Sequence, residues 1–232
     1  MDFHDRHVVV TGGTGGLGTA VVSALLEAGA TCHVPYVKED EANRFPHRNR
    51  DQVRLVGPFD LTDEATLAQF YGGVPTLWAS LHIAGGFATA GIVDADKRAL
   101  MAQLETNLVS CYLCCRAAVR AMRQSGGGRI VNMAARPALE PRSGAGMTAY
   151  VASKAGVAAL TEALAQEVVG DGILVNAVAP SILDTPANRA AMPKADHSNW
   201  AKVEEVAATI LFLASPANRV TRGAVVPVYG RT

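Results

Sequence analysis

The sequence has no charge excess of either sign. Its 232 residues carry 21 basic and 21 acidic side chains. A non-specific nucleic-acid binder needs a dense basic footprint, so nucleic acid is not an expected partner. The same balance supplies no polybasic surface for a membrane. No apolar run approaches the roughly 20 residues that a membrane span requires. The polar start Met1-Asp2-Phe3-His4-Asp5-Arg6 does not read as a secretory leader. Cysteine is scarce, with only Cys32, Cys111, Cys114 and Cys115. Three of these fall within one helical pattern and no second ligand cluster accompanies them. Neither a metal site nor a disulfide framework is expected, but reduced core thiols of a cytoplasmic protein. What the chain does hold is 49% hydrophobic residues, enough for a sizeable core. Its length suits one α/β domain better than two.

Short apolar runs alternate with longer amphipathic stretches. Strands are expected at His7–Val10, Thr31–Val34, Val53–Val56, Leu77–Ile83, Arg129–Asn132, Leu174–Ala179 and Ala224–Val228. Helices are expected at Gly16–Ala28, Asp63–Tyr71, about Ala95 to Gln124, Thr148–Val169 and Lys202–Leu213. Alternation of this kind gives a doubly wound parallel sheet with helices on both faces, a Rossmann-type α/β fold in a single domain. The polar stretch Lys38–Gln52, with Pro46 inside it, is an excursion with room for a short helix.

The first strand runs into Thr11-Gly12-Gly13-Thr14-Gly15-Gly16-Leu17-Gly18 and a helix follows at once. A tight strand-to-helix turn needs positive φ, and a pyrophosphate must approach backbone where a Cβ would clash. The helix N-terminus then presents free N–H groups and a positive dipole end. Gly13-x-Gly15-x-x-Gly18 is the general dinucleotide spacing, and its place between strand and helix makes the pattern specific. An acid near the end of the second strand would bind a ribose 2′-hydroxyl. That register position is Tyr36, with Glu39 and Asp40 slightly late, while Lys38, Arg44 or Arg48 could meet a 2′-phosphate. NAD and NADP both stay open, with a lean towards NADP.

Tyr150-Val151-Ala152-Ser153-Lys154 opens an alanine-rich helix, and a spacing of four puts Tyr150 and Lys154 on one face. A free phenol has a pKa of about 10, too high for efficient proton exchange at neutral pH. A nearby ammonium is expected to lower it, and an oxidised nicotinamide ring should act in the same sense. Tyr150 is thus the candidate acid/base. Lys154 is expected to assist it and to hold the nicotinamide ribose.

With these motifs in this order, the chain resembles the short-chain dehydrogenase/reductases along nearly its whole length. Thr11-Gly12-x-x-x-Gly16-x-Gly18 is similar to that family's own glycine spacing, with Thr14 and Leu17 inside it. The resemblance implies that Asp60, with Leu61 beside it, contacts adenine, and that Asn107 supports a proton relay to the lysine. It gives Ala84-Gly85-Gly86 to the cofactor wall. It places Pro180 and Ile182 in the loop that meets the nicotinamide amide, and Thr185 against the cofactor. It also implies a homodimer or homotetramer, because Thr148–Val169 is apolar on more than one face.

Two positions depart from the family. The serine that polarises the substrate carbonyl is expected at Ala135, and an alanine cannot donate; Ser143 or Thr148 is the nearby substitute. The family's Asn-Asn-Ala-Gly reads His82-Ile83-Ala84-Gly85. Dihydropteridine reductases also lack the serine. Their Ala-Gly-Gly-aromatic looks like Ala84-Gly85-Gly86-Phe87, and their substrate loop is similar to Leu183–Trp200. A small carbonyl or alcohol is the expected substrate and a quinonoid ring the alternative. Phe87, Met192 and Trp200 are the candidate lining, under a lid around residues 183–201. The rival from another class is a non-catalytic NAD(P)-binding sensor or scaffold. The missing serine is its best argument, and the intact Tyr150, Lys154 and Asn107 set opposes it.

Overall fold

The computed structural model describes residues 1–232. Nine strands and nine α-helices alternate along it. Strands β1 (His7–Thr11), β2 (Thr31–Pro35), β3 (Val53–Val56), β4 (Leu77–His82), β5 (Gly128–Met133), β6 (Ile173–Pro180) and β9 (Val225–Val228) form one sheet. Every pairing is parallel and the order is β3-β2-β1-β4-β5-β6-β9. β1 is the run His-Val-Val-Val-Thr, whose β-branched residues suit a strand buried on both faces. Its side chains alternate. Val8 and Val10 join the core beneath α1 (Gly16–Glu27) and α9 (Val203–Ala214). Val9 joins the opposite core beneath α3 (Glu64–Gly72), α5 (Ser110–Ser125) and α7 (Thr148–Glu167). The chain reverses its direction of travel across the sheet between β1 and β4. In sheets of this kind the ligand crevice lies at such a switch point, outside the strands' carboxyl ends.

Caps set several helix starts. Asp63 accepts from the N–H groups of Ala65 and Thr66 ahead of α3. Asp96 accepts from Ala99 ahead of α4 (Lys97–Gln103). The expected single helix from Ala95 to Gln124 is corrected here: it begins only after the Asp96 cap, and a π-helical turn, Leu104–Val109, splits it into α4 and α5. The Lys38–Gln52 excursion holds the short α2 (Glu39–Arg44). α6 (Arg136–Leu139) follows β5 directly. In the expected lid, β7 (Leu183–Asp184) and β8 (Ala201–Lys202) pair in parallel and frame α8 (Pro186–Ala191). No helix is long and apolar enough to cross a membrane.

The turn from β1 into α1 tolerates no side chains. Gly12 has φ +67°, and a Cβ there would lie 2.6 Å from the Ala84 backbone nitrogen. A Cβ at Gly18 would fall on the Gly12 carbonyl oxygen, a backbone atom with little room to yield. Gly18→Ala is therefore expected to destabilise the fold by about 1–3 kcal/mol. Urea unfolding monitored by circular dichroism measures it, as a lower midpoint with unchanged slope.

Candidate active site

The glycine loop lines one side of the switch-point crevice. α1 begins behind Gly15 with no side-chain cap and no acid in its first turn. Its N–H groups are thus left for an anion. Thr185 approaches from the far side: a Cβ at Gly16 would lie 3.2 Å from the Thr185 methyl carbon. The structure so gathers Gly12, Gly16, Gly18, Ala84 and Thr185, while Pro180 closes β6 in the core and Ile182 follows half-buried. Leu17 is buried beneath the loop. The cradle fits a dinucleotide pyrophosphate, because Cβ atoms would fill it and because its donors are uncapped.

At the outer end of the crevice the charges are acidic. Tyr36, half-buried after β2, donates to Glu39 Oε1 at 3.3 Å. Glu41 Oε2 lies 3.5 Å from Thr14 Oγ1 on the glycine loop. Lys38, a candidate for a 2′-phosphate, is already paired with Glu41 at 3.1 Å. Arg48 is bonded to Asn43. Asp60 accepts from the Thr62 N–H at 2.8 Å and is exposed, with Leu61 buried beside it. Glu41 had no sequence signal, because its approach to Thr14 depends on how α2 docks.

Deeper in, Asn107 sits within the π turn and is 1% exposed. Its Oδ1 accepts from the Gly86 N–H at 2.9 Å, and its Nδ2 donates to the Gly86 carbonyl at 2.9 Å. Nδ2 also donates to Ser153 Oγ at 3.1 Å, and Ser153 in turn donates to the Tyr150 carbonyl at 2.7 Å. One amide therefore joins the loop after β4 to the helix bearing Tyr150. Ser153 was not singled out from the sequence, although it stands inside the Tyr-x-x-Ser-Lys segment. The π turn is a recurrent device where a helix must aim a side chain at a site.

Lys154 is 4% exposed and donates to the Met133 carbonyl at 2.8 Å. A Cβ at Gly85 would lie 3.2 Å from its Nζ and 2.8 Å from Asn107 Oδ1, so only glycine leaves those groups room. Burial pulls the amine down to about 8, against a smaller opposing pull from Cys111. Burial pushes the Tyr150 phenol up to about 12. The expected acidification combines Lys154 with a bound oxidised nicotinamide; in the chain without the dinucleotide desolvation outweighs the ammonium, which is held on the Met133 carbonyl.

On the substrate side, the Phe87 ring meets Tyr150 edge-on at 4.9 Å and is itself 62% exposed. Ala135 is buried and its side chain carries no donor. Ser143 does not replace the missing serine, because its hydroxyl donates to the Glu140 carbonyl on an exposed turn. Trp200 is 6% exposed and packs against His197 at 4.4 Å, so it holds the lid segment together and does not line the cleft. Met192 is half-buried, and its carbonyl bonds the same His197 ring. The four cysteines are free and buried, as expected. The absence of a second ligand cluster is corrected, however: the fold brings His82 against Cys111 and Cys115.

The sequence profile described as short chain dehydrogenase matches residues 6–196. The chain belongs to the short-chain dehydrogenase family. A cis-4-hydroxycyclohexanecarboxylate dehydrogenase of Sinomonas cyclohexanicum is 35% identical over 245 residues, covering 98% of this chain and 96% of the relative. A galactitol 2-dehydrogenase of Rhizobium johnstonii is 35% identical over 243 residues, covering 96% and 93%. A crystal structure of a short-chain dehydrogenase/reductase family oxidoreductase from Burkholderia thailandensis superposes with a TM-score of 0.88 at 29% identity, covering 97% and 91%. The chain is thus an oxidoreductase of the short-chain dehydrogenase family, and its parallel seven-stranded sheet is the architecture of those structures.

The buried lysine gives a pH signature. Lys154 titrates at about 8 in the folded chain against 10.5 ordinarily, so between those values the unfolded chain binds more protons and stability rises with pH. Below pH 8 the penalty is present in full. Lys154→Met is expected to stabilise the chain at pH 7 by about 2–3 kcal/mol. That gain should fade as the pH approaches 10.5, measured by urea unfolding across the range.

Proposed function

We propose that this short-chain dehydrogenase transfers hydride between a nicotinamide dinucleotide and a small carbonyl or alcohol substrate, with Tyr150 as the acid/base. The observation that carries this reading is the buried Lys154, one turn from Tyr150 and packed with Asn107 against Gly85 at the rim of the crevice. The two relatives at 35% identity are named for oxidising a ring alcohol and a sugar alcohol, which supports the carbonyl/alcohol class.

The uncapped start of α1, Gly12, Gly16, Gly18 and Thr185 would hold the pyrophosphate. Ala84, Gly85, Pro180 and Ile182 would wall the nicotinamide half. When bound, the nicotinamide supplies or takes the hydride. Every other step belongs to the chain. Tyr150, protonated at neutral pH because burial holds its phenol high, donates its proton to the carbonyl oxygen during reduction. It takes the proton back in the reverse direction. Lys154, oriented by the Met133 carbonyl, supplies the positive field that a phenolate needs. Asn107 is a positioning residue here, with its amide committed to Gly86 and Ser153. Phe87 flanks Tyr150 and offers an apolar wall to the substrate.

Glu41 beside Thr14, with Glu39 accepting from the Tyr36 hydroxyl, favours the dinucleotide without a 2′-phosphate, against the lean read from Lys38, Arg44 and Arg48. A buried, donor-free Ala135 leaves carbonyl polarisation to Tyr150, and it keeps the quinonoid substrate as the second reading. Leu100, Met101, Val109 and Tyr112, exposed along one helical stretch, support the homo-oligomer.

Tyr150→Phe is expected to lower turnover at least about 10³-fold while leaving cofactor binding intact. Nicotinamide absorbance with a panel of ketones, sugar alcohols and a quinonoid pterin follows the first. Thermal shifts with NADH and NADPH follow the second, the larger being expected with NADH. Unchanged turnover in the variant removes the phenol from the mechanism. Binding without turnover on any substrate leaves a nucleotide sensor.

A further inference from the structure

Below the crevice lies a group of side chains that the oxidoreductase reading does not use. His82 ends β4, and Cys111 and Cys115 stand one turn apart on α5. All three are buried, and one ligand atom from each lies within 4.8 Å of the other two. A fourth group faces the same point. Asn132 Oδ1, on β5, is 2.8 Å from His82 Nδ1 and 3.4 Å from Cys115 Sγ. The Asn132 amide nitrogen is anchored on Thr161 Oγ1 at 2.9 Å, which fixes the oxygen towards His82 Nδ1 and the Cys115 sulfur. On the far side of the imidazole, His82 Nε2 is 2.8 Å from Ser80 Oγ, which is itself 2.8 Å from the Tyr71 hydroxyl.

We propose that His82 Nδ1, Cys111 Sγ and Cys115 Sγ, with Asn132 Oδ1 as the fourth ligand, form a structural site for a divalent ion of the zinc class. The donor set is two sulfurs, one imidazole nitrogen and one carbonyl oxygen, the soft-to-borderline mixture that four-coordinate zinc accepts. Charge favours it as well. Two thiolates cancel the ion's two positive charges, so the filled site is neutral and avoids most of the cost of burying an ion. The two thiol protons leave to solvent as the ion enters during folding. The imidazole then carries its proton on Nε2 and donates it to Ser80 Oγ, the kind of outer bond that orients a ligating histidine. Such an ion would pin the end of β4, just before Ala84-Gly85-Gly86, to α5 one turn beyond Asn107. The inference stands apart from the hydride-transfer reading, since it needs neither cofactor nor substrate.

The test is to refold the full chain with Co2+ and, separately, with Zn2+, then remove loosely held metal. We expect one ion per chain. The cobalt form should show intense near-ultraviolet sulfur-to-cobalt absorption and the visible bands of a tetrahedral site, both lost on displacement by Zn2+. Cys115→Ser and His82→Asn should each weaken binding at least about tenfold, while Cys32→Ser leaves it unchanged. His82→Asn introduces a small polar residue in the same pocket, and circular dichroism checks that each variant is folded. Should a variant fail to fold, the cobalt–sulfur absorption of the unaltered chain still decides. Folded chain with no bound metal, cobalt bound without sulfur bands, or binding unaffected in both site variants would overturn the proposal.

Discussion

An ammonium group with no carboxylate partner lies buried beneath the crevice, and the surrounding site is arranged around it. Lys154 has one carbonyl, that of Met133, to receive its proton. Burying a cation this way opposes folding, and the depressed pKa records that opposition. The cost is tolerable only because neighbouring elements leave room and polarity: Gly85 has no Cβ to displace the amine, and Asn107 brings an amide to the same spot.

The second constraint is close approach. Strand ends β1 and β4 come together because Gly12 offers no side chain to Ala84, and Gly18 offers none to Gly12. Asn107 then ties the loop after β4 to the π turn, and Ser153 extends the tie to the backbone of Tyr150. The loop after β4 and the helix bearing Tyr150 are thus parts of one hydrogen-bonded unit, so a shift in either moves the other.

What could be read from the sequence was local. The glycine loop and the Tyr150–Lys154 spacing are contiguous, and the strands of the parallel sheet are short β-branched runs bounded by turns; each carries its own signal. The features that escaped depend on docking. Cys111, Cys114 and Cys115 share one helical pattern in the sequence, but only strand pairing delivers His82 and Asn132 to Cys111 and Cys115. Trp200 reads equally as cleft or packing until His197 is found against it. Glu41 reaches Thr14 only through the placement of α2. The direction of the Tyr150 shift in the chain alone depends on burial as well as on spacing. Spacing identifies the neighbouring cation, but burial decides which influence is larger.

Positive charge beside Tyr150 must overcome burial before its phenol ionises. Ultraviolet difference titration of tyrosinate in the full chain, corrected by the same titration of Tyr150→Phe, isolates this one phenol. Ionisation is expected near pH 12 for the chain alone, falling well below the ordinary value of 10 when an oxidised nicotinamide dinucleotide is bound. A Tyr150 titration that does not move when the dinucleotide binds would contradict it.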